Sequence, residues 1–197
     1  MQINRKKQIM QEAVEIVSEK GLNALTMSTL SAKVGVTEGA LYRHFSSKNE
    51  LIMDILNDIF LETTNHISEV TNRKQTNATK LQQIMENQLF IFKQRPALAN
   101  ILFAEEYFST NQDIKILIYS IITTIQLYIQ EIFENGKADG EFKFTLNSRH
   151  VSFMFLGTIR MLVMNWKLSD YQWDLPEQGK AFYHSFLEII EEKNLNQ

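Results

Sequence analysis

A chain of 197 residues, 44% of them hydrophobic and 13 of them Phe, can build a sizeable core and suits one large domain or a small one joined to a larger. Only two Pro and seven Gly argue against a turn-rich β fold and for long helices, and the absence of Cys excludes disulfides and thiolate metal sites, as fits a reducing cytoplasm. The net charge of −3 is unevenly spread: residues 1–50 carry seven Lys/Arg against five Glu, and the remainder 13 basic against 18 acidic residues, a basic head on an acidic body.

Met1–Lys7 is basic, but no apolar run follows, so it does not read as a secretory signal. Ile9, Met10, Ala13, Ile16 and Val17 then mark one face of an amphipathic helix that Gly21 stops. Thr26 is placed to cap a second short helix to Lys33 or Val34, with Leu30 and Ala32 turned inward. After the Gly35-Val36 turn, Thr37 caps a third helix, Glu38 to Phe45, anchored by Leu41 and Phe45. Ser47 and Glu50 are spaced as a capping box for a fourth helix, about 47–66, with Leu51, Ile52, Ile55, Leu56, Ile59 and Phe60 on its apolar face.

Residues 62–80 turn polar and predict the end of that helix and a loop. Further helices are expected over Leu81–Lys93, Pro96–Phe108, Asp113–Asn135 (ending at Gly136), about 147–167, and from the Asp174/Glu177 pair to about Lys193. The last carries the stripe Ala181, Phe182, Ser185, Phe186, Ile189 and Ile190. The most lipophilic stretch, Ile114–Phe133, has a charge-free part shorter than the ~18–20 residues of a spanning helix. It predicts a buried core helix and no membrane partner. The fold class is all-α: a tri-helical helix-turn-helix head at 1–50 and a larger helical body at 51–197.

Function concentrates in Thr26–Leu51. Two short helices across a glycine turn, backed by an amphipathic first helix, make a helix-turn-helix unit. Its third helix is short enough to put its N-terminal end into a major groove. Gly39 permits close approach of backbone to DNA, and Tyr42, Arg43, His44 and Lys48 supply donors near phosphates.

Leu41-Tyr42-Arg43-His44-Phe45 followed by Lys48-Asn49-Glu50-Leu51 strongly resembles the signature of the TetR/AcrR family of regulators, over roughly residues 5–55. The resemblance implies that Tyr42, His44 and Lys48 grip phosphates, with Thr26 or Ser28 at the start of the second helix. It makes Thr37, Glu38, Gly39 and Arg43 the candidates for base edges. Glu38 is the odd member, since a carboxylate repels phosphate; it can accept from a cytosine amino group or favour the helix N-terminus.

The same resemblance implies a ligand-released repressor that binds double-stranded, palindromic operator DNA as a homodimer. Its last two helices would pack on their symmetry mates, with the two heads ~34–36 Å apart. Phe153, Met154, Phe155, Met161, Leu162, Met164, Phe182, Phe186 and Ile190 exceed what one small body can bury, in keeping with that interface. For a small apolar effector the candidates are Phe60, Phe90, Phe103, Tyr107, Phe108, Tyr119, Tyr128 and Trp166. Arg95–Phe108 is similar to regulators that sense fatty acyl thioesters or other lipophiles. Glu105, Glu106 and Arg160 stay open between polar groups of a cavity and surface charges.

No cofactor is expected. A Cys nucleophile, a glycine-rich phosphate loop and a two-His metal helix are all lacking, and the four His are scattered, so an enzyme is not expected either. The alternative is a helical protein-binding adaptor without DNA-binding activity.

Overall fold

A computed structural model describes residues 5–191, apart from the side chains of Glu105 and Glu106. The first four residues of the basic N-terminus and the expected helix end at Lys193 lie outside the described residues. Ten α-helices and one short 3-10 turn make up the secondary structure, with no strand among the described residues. They are α1 (Arg5–Lys20), α2 (Met27–Val34), α3 (Glu38–Tyr42), α4 (Lys48–Asn72), α5 (Asn77–Gln94), α6 (Ala97–Leu102), α7 (Glu105–Ser109), α8 (Gln112–Ala138), α9 (Ser148–Leu168) and α10 (Leu175–Glu191).

The chain divides into two compact units. One comprises the residues up to Leu61 together with Arg95–Ser120; the other comprises Glu62–Gln94 and the chain from Ile121 onward. Helices α4 and α8 each contribute to both.

In the first unit the α1 stripe Ile9, Met10, Ala13, Ile16 and Val17 is buried as its spacing predicts, and Leu30, Leu41 and Phe45 of the same unit are fully enclosed. Thr26 caps α2 by accepting from the Thr29 N–H at 3.0 Å, while its own N–H donates to the Thr29 hydroxyl at 2.9 Å. Gly35 closes α2 in the left-handed region (φ 73°), where a side chain would be strained. Ala32 faces solvent, contrary to expectation. Ser31 is buried in its place and satisfies its hydroxyl on the Ser28 carbonyl at 2.9 Å.

Helix α3 ends at Tyr42 and not at Phe45. The N–H groups of His44 and Phe45 both turn back to the Leu41 carbonyl, at 2.9 and 3.1 Å, and this tightened turn carries Phe45 into the core. At the start of α4, Ser47 accepts from the Glu50 N–H at 3.1 Å. The reciprocal arm goes one residue further out than a capping box: Glu50 accepts from the N–H and hydroxyl of Ser46, both at 2.6 Å.

Helix α4 continues to Asn72, six residues past its expected end. Thr63, Ile67 and Val70 are buried, so the polar composition after residue 62 is first that of a solvated helix face, and the expected loop is confined to residues 73–76. The expected single helix Pro96–Phe108 is two, because Phe103 (ψ 17°) and Ala104 (ψ 61°) leave helical geometry between α6 and α7.

In the second unit α5, α9 and α10 pack around Leu81, Ile84, Met85, Leu89, Val151, Phe155, Tyr183 and Phe186. The α5 N-terminus is capped from far along the chain. Glu141 accepts from the Asn77 and Ala78 N–H groups at 2.7 and 3.2 Å, a partnership local spacing could not indicate.

Helix α8 runs through Gly136 to Ala138. Gly136 acts as a contact and not as a stop: a Cβ there would lie 2.2 Å from two ring carbons of Phe142, whose N–H bonds the Gly136 carbonyl at 3.0 Å. Nor is α8 the buried core helix expected. It is long and apolar enough to cross a membrane by length and composition, only 28% of its most apolar window is buried, and Ile116, Tyr119, Ile122, Leu127 and Tyr128 are exposed. On α10 the buried set is Leu175, Gly179, Tyr183, Phe186 and Ile190, whereas Ala181, Phe182, Ser185 and Ile189 point outward.

Candidate nucleic-acid interface

The nine residues singled out for DNA all lie in the first unit. Thr26, Ser28, Thr37, Glu38, Gly39, Tyr42, Arg43 and His44 are exposed, whereas Leu41 and Phe45, interleaved with the last three, are fully buried. That alternation follows from the short α3 and its turn: two apolar anchors face the core and the polar residues between them face water. Tyr42 keeps 48% of its surface exposed, so its ring and hydroxyl face water. Thr37 accepts from the Ala40 N–H at 3.2 Å, as Thr26 does from Thr29; the Thr26 hydroxyl is also paired with the Thr29 hydroxyl at 3.0 Å, whereas Thr37 keeps its hydroxyl hydrogen to donate outward.

Lys48 sits differently. It is half-buried at the first position of α4, its ammonium donates to the Leu22 carbonyl at 2.9 Å, and it lies 5.1 Å from the centre of the Tyr107 ring. Burial lowers its pKa from the ordinary lysine value. Tyr107 in turn donates its hydroxyl to Asn49 at 2.6 Å, and Asn49 donates to Asn111 at 2.6 Å. Sequence reading missed this link because Asn49 and Asn111 belong to no local motif and stand 62 positions apart. Lys6 is held by Asp54 at 2.5 Å and lies over the Phe45 ring; the Asp54 bond raises its pKa.

The effector candidates have varied surroundings. Phe60, Phe103, Tyr107, Phe108 and Tyr119 belong to the first unit, where Phe108 is buried, Tyr119 is 73% exposed and the other three are half-buried. Phe90, Tyr128 and Trp166 belong to the second. Trp166 is buried, donates its indole N–H to the Trp173 carbonyl at 2.8 Å and packs edge-on against Tyr171. Tyr128 is exposed, and Phe90 lines an open groove of about 470 Å³ with His66, Arg73, Glu86, Glu177 and Lys180. Of these groove residues only Phe90 was anticipated. Arg160 is exposed, and the side chains of Glu105 and Glu106 lie outside the described residues.

On α9, Phe153, Met154, Met161, Met164 and Leu168 are exposed at helical spacing, and on α10 so are Phe182 and Ile189. Phe155, Phe186 and Ile190, from the same expected group, are core residues.

Comparison with known proteins agrees with the head's geometry. Residues 9–55 match the family described as bacterial regulatory proteins, tetR family, and residues 57–189 match the YsiA-like protein C-terminal region. Among curated proteins, the fatty acid metabolism regulator protein of Bacillus subtilis is 25% identical over 183 residues, covering 93% of this chain and 92% of its own. The nucleoid occlusion factor SlmA of Vibrio cholerae is 24% identical over 186 residues, covering 94% of each. Among solved structures, the fatty acid degradation regulator FadR from Bacillus halodurans superposes with a TM-score of 0.84 at 21% identity, over 100% of this chain and 99% of that one. FadR from Bacillus subtilis in complex with stearoyl-CoA gives 0.78 at 24% identity, over 94% and 97%. With both halves matched and the fold shared from end to end, the chain belongs to the TetR family of DNA-binding bacterial regulators.

Proposed function

We propose that the protein is a ligand-released transcriptional repressor, active in the cytoplasm as a homodimer on a palindromic operator, with residues 1–50 as its DNA-binding domain and 51–197 as its ligand-binding and dimerisation domain. The carrying observation is the exposed set Tyr42, Arg43 and His44 held outward by the buried Leu41 and Phe45. Thr26, Ser28, Tyr42, His44 and Lys48 grip phosphates; Thr37, Glu38, Gly39 and Arg43 meet base edges. The exposed apolar residues of α9 and α10 support dimerisation through the last two helices, because water-facing Phe, Met and Leu at one helical spacing are costly unless a partner covers them.

The effector is a small, largely apolar molecule, and a fatty acyl thioester is the reading favoured by the relatives: one is named a fatty acid metabolism regulator, and the related FadR structure is a complex with stearoyl-CoA. Its binding shifts α4 and changes the separation of the two heads. A coupling of about 1–3 kcal/mol weakens DNA binding roughly 5–150-fold.

The test is operator affinity, on duplexes selected from random DNA, across a salt series with and without stearoyl-CoA. Affinity should fall steeply as salt rises, and Arg43→Ala should relax preference at particular bases while Tyr42→Ala weakens all sequences alike. Binding insensitive to salt and to both substitutions would refute the contact assignment. An affinity unchanged by saturating stearoyl-CoA would remove this effector class.

A further inference from the structure

We infer that Tyr107 is a positioning residue for DNA binding: its ring and the Leu22 carbonyl together aim the Lys48 ammonium, which makes α7 part of the DNA-contacting apparatus. The inference rests on the reading above, in which Lys48 meets phosphate, and adds a residue from outside the helix-turn-helix to it.

Lysine carries its charge on a four-carbon stem with many rotamers, so a phosphate contact from a free lysine costs the entropy of ordering that stem. Here the ordering is in place without DNA. One ammonium hydrogen is given to Leu22, in the turn between α1 and α2, and Tyr107 lies against the ammonium with its ring centre 5.1 Å away. An ammonium has three donors, so two remain, and the half-exposed side chain keeps a path to solvent. The drop in the Lys48 pKa that burial causes fits a cation already partly stripped of water.

Tyr107 is itself held. Its hydroxyl donates to Asn49 at 2.6 Å, the Asn49 amide donates to Asn111 at 2.6 Å, and the Asn111 amide returns to the Tyr107 carbonyl at 2.7 Å. This closed loop of hydrogen bonds fixes the first turn of α4 to α7 and to the start of α8. The neighbouring Phe108 is buried and its ring lies edge-on to that of Tyr107, 6.5 Å between centres. Any displacement of α7 therefore alters the aim of Lys48 directly, independently of the distance between two heads.

The experiment compares full-length wild type, Tyr107→Leu, Tyr107→Phe, Lys48→Met and the Tyr107→Leu/Lys48→Met double variant on one selected operator duplex, across a salt series, with helicity checked by circular dichroism. Losing pre-organisation of one rotamer-rich side chain should weaken operator binding by Tyr107→Leu about 2- to 10-fold. The slope of log affinity against log salt should fall by about one per protomer, as for Lys48→Met. Tyr107→Phe, which keeps the ring, should retain the wild-type slope, and Tyr107→Leu should add nothing once Lys48 is gone. A Tyr107→Leu slope equal to wild type, with Lys48→Met lowering it, overturns the positioning role and leaves the phosphate contact standing. If Lys48→Met changes neither affinity nor slope, the contact and the positioning role both fall, while Tyr42→Ala and Arg43→Ala report separately on DNA binding by the head.

Discussion

Replacing Gly136 by Ala sets local preference against packing. Gly136 lies inside α8, two residues before its end, and a helical Gly→Ala change taken alone stabilises by about 1 kcal/mol. The tertiary structure reverses the sign. The added methyl would lie 2.2 Å from two ring carbons of Phe142 and 3.1 Å from a third, whereas carbon atoms pack at roughly 3.5–4.0 Å, so the ring must retreat by more than an ångström. It has little room. Phe142 is 3% exposed, with the Phe133 and Phe144 rings centred 5.7 and 6.2 Å away.

Overpacking a dense core costs about 1–3 kcal/mol, and a rigid ring in a cluster of rings belongs at the upper end. Gly136→Ala should therefore destabilise by about 2 kcal/mol, the overpacking cost less the helical gain. With Phe142→Ala as background the clash is gone, and the same change should stabilise by about 1 kcal/mol, giving a coupling near 3 kcal/mol in the double-mutant cycle. Urea denaturation midpoints at one fixed protein concentration measure all four proteins. A Gly136→Ala protein more stable than wild type would refute the packing argument.

Met161→Glu puts a charge into the exposed apolar stripe of α9 and should convert the protein to monomer in sedimentation while leaving its helicity intact; a variant that stays dimeric would move the interface elsewhere. Thr26→Ala removes the α2 cap and should cost about 1 kcal/mol, whereas Thr26→Ser, which keeps the oxygen, should cost much less in the same denaturation assay. The Ser46 hydroxyl and N–H hold the Glu50 carboxyl below its ordinary pKa, so its contribution is present above the unfolded value of about 4.3 and is lost as pH falls through the lower native value. The stability gap between wild type and Glu50→Gln should accordingly be constant near neutrality and close only in acid. A gap that widened on acidification would contradict the sign.

Much of the head was legible in residue order because its determinants are local. The buried face of α1 is the predicted stripe residue for residue, and Thr26 and Thr37 cap the helices they precede. Exposure of Tyr42, Arg43 and His44 follows from the positions of Leu41 and Phe45. Lys48 marks the limit of such reasoning. Its place beside Tyr42 and His44 in the chain says nothing of Leu22 and Tyr107, which reach it from 26 and 59 residues away.

Periodicity, capping and composition by themselves determined an all-α chain, a tri-helical head with its donors outward, and a body too rich in apolar residues for its own interior. These properties depend on contacts within a turn or two of helix. Tertiary structure alone decided that α4 runs on past its apolar stripe, that Glu141 caps α5, that Gly136 is a contact surface within α8, and which faces of α8, α9 and α10 are left to solvent. A helix with apolar residues on two sides does not state which side its own chain will cover. Only the packing of residues distant in sequence makes that choice.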